Sequence, residues 1–384
     1  MIRTNATKEN YKSIKQADIS LTNLNILIGA NGAGKSNFIG FFSFLQQMLK
    51  QNLRSYVMDK GGQDVFLYYG RKKSDHLRIC IDFALTAYNF ILSPTNENIF
   101  RFNSEGFDLF KNTDRNYTES RALSRNSNKA LTHQAKYITG NSRYESLIDV
   151  TNTGDSHIVE DYGYELNMII TNIITKLQVF HFHDTSDTSP LKAVVANNDN
   201  LYLRSDGANL AAMLKLVYDN YPDYYRLIVD TVQLVIPDFH DFVIRDSKFI
   251  TLEWFNKNNV DVPWMAHYLS DGSLRFIALA ILLLMPTKLQ PETIIIDEPE
   301  LGLHPTAINV LSGLIKRASQ DKQVIISTQS PSLLASVSPQ DVIVVDKKND
   351  CSEFRRLEEK ELATWLQDFS LSELWDMNIL GGRP

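Results

Sequence analysis

The sequence predicts an α/β protein: a mostly parallel sheet flanked by helices, with an N-terminal antiparallel β region and an inserted polar and helical region. Three observations predict it. A strand-like stretch, LNILIG, leads into a glycine loop, GANGAGKS (29–36), and then into the apolar-rich helix NFIGFFSFLQQMLKQNL. Later, TIIIDEP and QVIISTQ read as buried strands separated by a helix from about 305 to 319. A further strand, DVIVVD, follows. Strands alternating with helices imply parallel pairing with covered faces.

The elements follow in order along the chain. Residues 2–27 read as short strands broken by polar turns, and HLRICIDFAL (76–85) as a further β-rich stretch. Residues 103–160 turn to Asn, Ser, Thr and Arg with few apolar residues, the composition of an exposed insertion or mobile arm. Within it, 111–143 holds seven Lys/Arg against two acids. A solvated loop accounts for that charge; the other reading is a patch that contacts DNA. Helical periodicity returns at 164–178 and 206–235, and DFVIRDSKFITLEWF (241–255) is strand-like. Residues 1–95 and 260–384 are therefore read as one head and 96–259 as an insertion, a polar arm plus a helical lid region. No sustained heptads and no internal repeat are visible.

Bulk properties exclude several classes. A chain of 384 residues, 43% hydrophobic and 22% charged, has the composition of one or two globular domains. Its net charge of −6 gives no global attraction for nucleic acid or an anionic membrane. The two cysteines, Cys80 and Cys351, lack metal-ligand or redox-pair spacing. The N-terminus has no apolar signal-peptide core, and the apolar run Phe276–Met285 is far short of the ~20 residues of a membrane span. A cytoplasmic location without membrane attachment is expected.

GANGAGKS fits G-x-x-x-x-G-K-[ST] in its proper context, after a strand and before a helix. Gly29, Gly32 and Gly34 let backbone N–H groups ring a phosphate, and the following helix offers its positive N-terminus. Lys35 has the reach for β- and γ-phosphates, and the Ser36 hydroxyl suits Mg²⁺. The nucleotide-binding set is thus Asn31, Gly32, Ala33, Gly34, Lys35, Ser36 and Asn37. In IIIDEPE, a buried strand ends in two acids. Asp297 is placed for Mg²⁺, and Glu298 for the attacking water as general base or polariser. LSDGS (269–273) supplies a cap: Ser270 offers a hydroxyl, Gly272 permits close backbone approach, and the next helix adds its dipole. Weaker candidates are Gln63, Gln46 and Gln47 as a glutamine reaching the γ-phosphate, and Tyr11 near an adenine. His181 and His183 alternate as a metal pair would, but without a third ligand nearby they read as packed or hydrogen-bonded histidines.

The set GANGAGKS, LSDGS, IIIDEPELGLHP and STQSP, in that order, resembles the ABC-type ATPase heads of the RecF, SMC, Rad50 and OLD groups. The closing stretch FRRLEEKELATWLQDFSLSELWDMNILGGRP is similar to the tail of a bacterial family of stand-alone AAA-family ATPases. The resemblance spans roughly residues 1–85 and 260–384. It implies a P-loop NTPase of ABC-ATPase type that binds ATP and Mg²⁺ and forms a homodimer in which each signature caps the other's ATP. LSDGS departs from LSGGQ at Asp271 and Ser273. ELGLHP resembles the loop that lies along the dimer seam, which would put Glu300 to His304 there. Gln329 stands where most such ATPases have a switch histidine; its amide donates a hydrogen bond but cannot carry charge.

The expected function is ATP hydrolysis by paired heads, or a higher oligomer of them, acting on DNA or an effector partner in repair or antiphage defence. The alternative is the ATPase subunit of an ABC transporter, which the forms of ELGLHP and LSDGS disfavour. Intact Lys35, Asp297 and Glu298 argue against a scaffold that binds ATP without turning it over. Only 38 residues follow Asp346, fewer than the order of a hundred that a nuclease domain needs, so a nuclease effector is expected to be a separate protein.

Overall fold

The computed structural model describes residues 5–50, 52–83, 86–110, 117–127 and 177–382. Two compact units are present. The first holds the described residues of Met1–Thr22, Asn31–Leu177 and Val345–Phe354; the second holds those of Asn23–Ala30, Gln178–Val344 and Arg355–Pro384. This division runs differently from the head and insertion read from the sequence. Residues from Phe180 to Trp254 share one buried core with the helices and strands after 260, because Leu210, Ile228 and Phe239 cluster with Ile277, Ile281 and Leu311.

The chain opens with the antiparallel hairpin β1 (Asn5–Tyr11) and β2 (Ile14–Ser20), in which Tyr11 faces Ile14 across the turn. Next come β3 (Leu24–Ile28), which belongs to the second unit, and the helices α1 (Lys35–Leu49) and α2 (Leu53–Asp59). Strands β4 (Leu77–Phe83), β5 (Thr86–Pro94), β6 (Phe100–Phe110) and β7 (Tyr117–Ser127) complete a six-stranded antiparallel sheet in the order β2-β1-β4-β5-β6-β7. Leu77, Ile79 and Ile81 are buried while Arg78 is exposed, the period of two that a sheet imposes. Helix α1 buries Phe38, Phe41, Phe42, Phe44, Leu45 and Met48, at spacings that recur every three to four residues.

The polar stretch from 103 onward is in part strand, not loop. Residues up to Phe110 pair with Tyr117–Ser127, and the register shifts between Glu105 and Gly106. That irregularity explains the misreading. The apolar residues sit at 100 and 102 before it and at 107, 109 and 110 after it, so no single two-residue alternation runs through the segment. Arg121 and Arg125 fall within β7. Lys111, Arg115, Lys129, Lys136 and Arg143, and the helix expected at 164–178 up to residue 176, lie outside the described residues.

A further six-stranded sheet has the order β17-β16-β3-β15-β14-β8. Its strands are β8 (Leu177–Phe180), β14 (Thr293–Asp297), β15 (Gln323–Thr328), β16 (Val342–Lys348) and β17 (Cys351–Arg356), with β3. β14, β15, β3 and β16 run parallel. Leu24–Ile28, Ile294–Ile296 and Val324–Ile326 are buried without alternation, as strands covered on both faces must be. Around them lie α3 (Leu210–Asn220), α4 (Pro222–Val235), α5 (Asp271–Leu284) and α6 (Pro305–Asp321). Every residue of α5 from Leu274 to Leu284 is buried, so its lack of an amphipathic stripe reflects burial on all sides. A small sheet, β10 (Phe239–Phe242), β12 (Glu253–Asn256) and β13 (Asn259–Met265), precedes α5, and the pair β9 (Val195–Ala196) and β11 (Phe249–Ile250) stands apart from it. No helix among the described residues is long and apolar enough to cross a membrane.

Candidate functional site

In the first unit, the glycine loop turns because two of its glycines take left-handed backbone: Gly32 has φ +78° and Gly34 φ +122°. A Cβ on Gly34 would lie 2.1 Å from Ser352 Oγ, so the position excludes any side chain twice over. The loop is braced from outside. Ser352 Oγ donates to the Ala33 carbonyl at 2.5 Å and stands 2.7 Å from Ser13 Oγ, to which Asn37 Nδ2 donates at 2.7 Å. Asn37 therefore spends its amide on the loop's frame. Lys35 is buried, whereas Asn31, Gly32 and Ser36 are exposed. The first turn of α1 holds no acidic residue, so its N–H groups and positive end suit an anion.

Four weaker candidates resolve here. Tyr11 is fully buried, edge-on to Phe41 and Phe44 at ring distances of 5.7 and 5.9 Å, which removes it from any adenine contact. Gln63 is also fully buried: its Nε2 donates to the Thr95 carbonyl at 2.6 Å and its Oε1 accepts from Thr95 N at 3.0 Å. Both ends of that amide hold a turn, so Gln63 is not a phosphate-reaching residue. Gln46 is buried and donates to the Leu177 carbonyl, and Gln47 accepts from Asn52 Nδ2 at 2.8 Å.

In the second unit, strand register aligns the chemistry. Ile28 lies opposite Thr328, and Ser327 opposite Asp297. The residues that leave these strands at their carboxyl ends are Gly29, Gln329 and Glu298, side by side where parallel sheets hold ligands. Ser327 Oγ donates to Asp297 Oδ1, and Gln329 Nε2 donates to Glu298 Oε1. Glu298 has φ +44°, a left-handed conformation uncommon for a residue with a side chain and frequent at functional sites. Its N–H donates to the Ser327 carbonyl at 2.9 Å, which fixes the turn.

The signature sits at the start of α5. Ser270 is its N-cap: its Oγ accepts from Ser273 N at 3.2 Å and donates to Ser273 Oγ at 2.8 Å. Ser270 and Asp271 are exposed. A Cβ on Gly272 would lie 2.4 Å from the Gly302 carbonyl oxygen, so the signature and the 300–304 loop are packed backbone to backbone. His304 caps α6 by accepting from Thr306 N at 3.3 Å.

Three side chains escaped the sequence reading, and a fourth, Glu300, stands otherwise than expected. Ser13 and Ser352 brace the glycine loop, but Ser352 is 319 residues from Ala33 and no local pattern marks it. Arg275, buried in α5, donates to the carbonyls of Phe182 and His183 at 2.9 and 3.0 Å, and burial lowers its pKa. A charge inside the run LRFIALAILLL was the available signal, since such a charge must be paired or hydrogen-bonded. Glu300, expected at a seam, turns its carboxyl inward to Thr328 Oγ1 at 2.6 Å and Gln329 N at 3.1 Å. Burial, opposed by these bonds and reinforced by nearby Glu298, raises its pKa. The rings of His181 and His183 lie 6.5 Å apart, and no group of three or more metal-ligating side chains occurs among the described residues.

A helix-flanked parallel sheet with a glycine loop leaving one strand and an Asp-Glu pair leaving another is the α/β fold of a P-loop NTPase, the fold that SMC heads share. Residues 24–335 match the family described as AAA domain, putative AbiEii toxin, Type IV TA system, and the chain belongs to that family. No curated protein matches the sequence. Among solved structures, the chain is similar to an SMC head bound to the C-winged helix domain of ScpA: 12% identity, TM-score 0.55, covering 94% of this chain and 99% of that one. It is also similar to an SMC head with an extended coiled coil, bound to the C-terminal domain of ScpA derived from Pyrococcus furiosus: 14% identity, TM-score 0.49, covering 96% and 98%.

The residues fit a nucleotide. The two left-handed glycines and the acid-free helix start suit phosphate, and in each unit by itself a hard oxygen donor of the kind Mg²⁺ takes is present, Ser36 in the first and Asp297 in the second. Mg²⁺, where an ATPase holds it, neutralises charge on the β- and γ-phosphates.

Proposed function

We propose that the chain binds and hydrolyses ATP, and that two copies close head to head around it to act on an effector protein or on DNA, in repair or antiphage defence. Asn31 to Asn37 cradle the phosphates through the loop's N–H groups, and Lys35 neutralises them. Asn37 serves by shaping the loop. Ser36 and Asp297 hold Mg²⁺. Glu298 takes the proton of the attacking water, and Gln329 orients Glu298 and donates to the γ-phosphate. The observation that carries this reading is the strained Glu298 at a strand end, its carboxylate held by the Gln329 amide. Exposed Ser270, next to Gly272 at the start of α5, supports a cap offered to a second copy's nucleotide. That an SMC head carries a ScpA domain supports a protein partner for this head as well.

Mixing two dead proteins tests the shared site. Ser270→Arg and Lys35→Ala should each be inactive alone, because every site in either homodimer is damaged. In a heterodimer both lesions coincide at one site and the other is intact. Random pairing should then restore about a quarter of wild-type ATPase activity, less if the two sites are coupled. Heterodimers confirmed by differential tags yet without hydrolysis would contradict a cap supplied by the second copy.

A further inference from the structure

The resemblance of ELGLHP puts Glu300 along a dimer seam, and in the structure its carboxyl turns inward. Its Oε1 accepts two hydrogen bonds, from Thr328 Oγ1 at 2.6 Å and from the Gln329 backbone N–H at 3.1 Å. Its Oε2 is buried and has no partner among the described residues. A carboxylate withdrawn from water at one oxygen is costly, so its geometry needs a reason beyond stability. The bonds it makes define that reason. Thr328 Oγ1 also accepts from Ser330 N at 2.9 Å, so Glu300 and Thr328 together shape the turn that presents Gln329. The Gln329 amide in turn holds the Glu298 carboxylate.

The other end of the chain of contacts reaches the surface. Leu301 N donates to the Glu298 carbonyl at 3.2 Å and Leu303 N to the Glu300 carbonyl at 3.0 Å, which makes 298–303 two interlocked turns. Leu301 is half exposed, and the carbonyl of Gly302 lies against Gly272 of the signature. Among the described residues, Glu300 carries side-chain hydrogen bonds from the 300–304 loop to the 328–330 turn, and a displacement of the loop is transmitted along them.

We propose that Glu300 is a positioning residue that couples the 300–304 loop, and the signature packed on it, to the Gln329–Glu298 pair. The role rests on the reading of Glu298 as the catalytic acid-base group. When the loop is seated, Glu300 holds the Gln329 backbone and the amide stays on Glu298. When the loop shifts, the turn relaxes and the amide loses its grip on the carboxylate.

The test uses the full chain with ATP and Mg²⁺. Glu300→Ala should lower kcat about ten- to a hundredfold with KM changed less than about twofold, the signature of an interaction that matters after binding. Glu300→Gln keeps the shape and an acceptor oxygen and should recover part of that loss. The deciding measurement is the double variant. Glu300→Ala placed in a Gln329→Ala background should cause no further loss, because the two residues act through one contact. Multiplying losses, or unchanged kcat in both Glu300 variants, would overturn the coupling. Glu298→Gln is measured in parallel: if it is inactive while the Glu300 variants are normal, only the coupling falls. If Glu298→Gln hydrolyses at the wild-type rate, the catalytic reading falls and takes the coupling with it.

Discussion

The glycine loop at 29–37 and the acidic turn at 297–304 both bend the backbone sharply where a strand ends, and they do so by different means. In the loop the left-handed residues are glycines, Gly32 and Gly34, for which that conformation is free of strain. In the turn the first left-handed residue is Glu298, where it costs on the order of 1–3 kcal/mol. The loop leans on two hydroxyls, Ser13 and Ser352, that touch its backbone and its Asn37. The turn leans on Ser327, Thr328 and Gln329, each bonded to one of its three acids. One is a backbone device with light external support. The other is a strained conformation upheld by side chains from a neighbouring strand. Damage to the first should therefore appear in nucleotide binding, and damage to the second in turnover.

The sharpest separation comes from one substitution on each side. Lys35→Ala removes the cation assigned to the phosphates in the proposed site and should weaken binding of a fluorescent ATP analogue by about a hundredfold or more. Glu298→Gln should leave that affinity within about twofold while hydrolysis falls by two to four orders of magnitude. If both variants lost affinity equally, the division of labour between loop and turn would collapse.

A smaller effect is expected at the residue that holds Glu298 in place. Gln329→Ala should slow hydrolysis about ten- to a hundredfold at near-normal affinity, while Gln329→His, which still offers a donor, should stay close to wild type. Steady-state kinetics of the pair would expose Gln329 as merely a strand end if the alanine variant were fully active.

The smallest effect probes the loop's brace. Ser352→Ala removes one hydrogen bond to Ala33, worth about 1 kcal/mol, and should raise KM for ATP several-fold without lowering kcat. A KM that does not move would reduce the brace to a fold contact, and a fall in kcat instead would erase the contrast between the two regions.

Legibility in the sequence follows the same contrast. GANGAGKS could be read because the glycines, the lysine and the helix start are consecutive, and the conformation they need is a local property of the chain. The strands TIIIDEP and QVIISTQ could be read because unbroken apolar runs of that length belong to a covered sheet. The hairpin of β6 and β7 could not, since a register shift at Glu105–Gly106 breaks the alternation that marks a strand. Tyr11 and Gln63 were misjudged for a related reason: residue type shows what a side chain is able to do, not whether packing leaves it free to do it. Both are fully buried and engaged elsewhere.

By itself, the sequence determined the class of sheet, the phosphate loop, the strand-end acids and the order of the motifs, because each rests on residues adjacent in the chain or on a short period. Tertiary structure alone decided which hydroxyls brace the loop, that Gly272 meets Gly302, and that Glu300 faces inward to Gln329. Those contacts join residues far apart in the chain. Their existence depends on strand register and on the exclusion of water, neither of which a local pattern records.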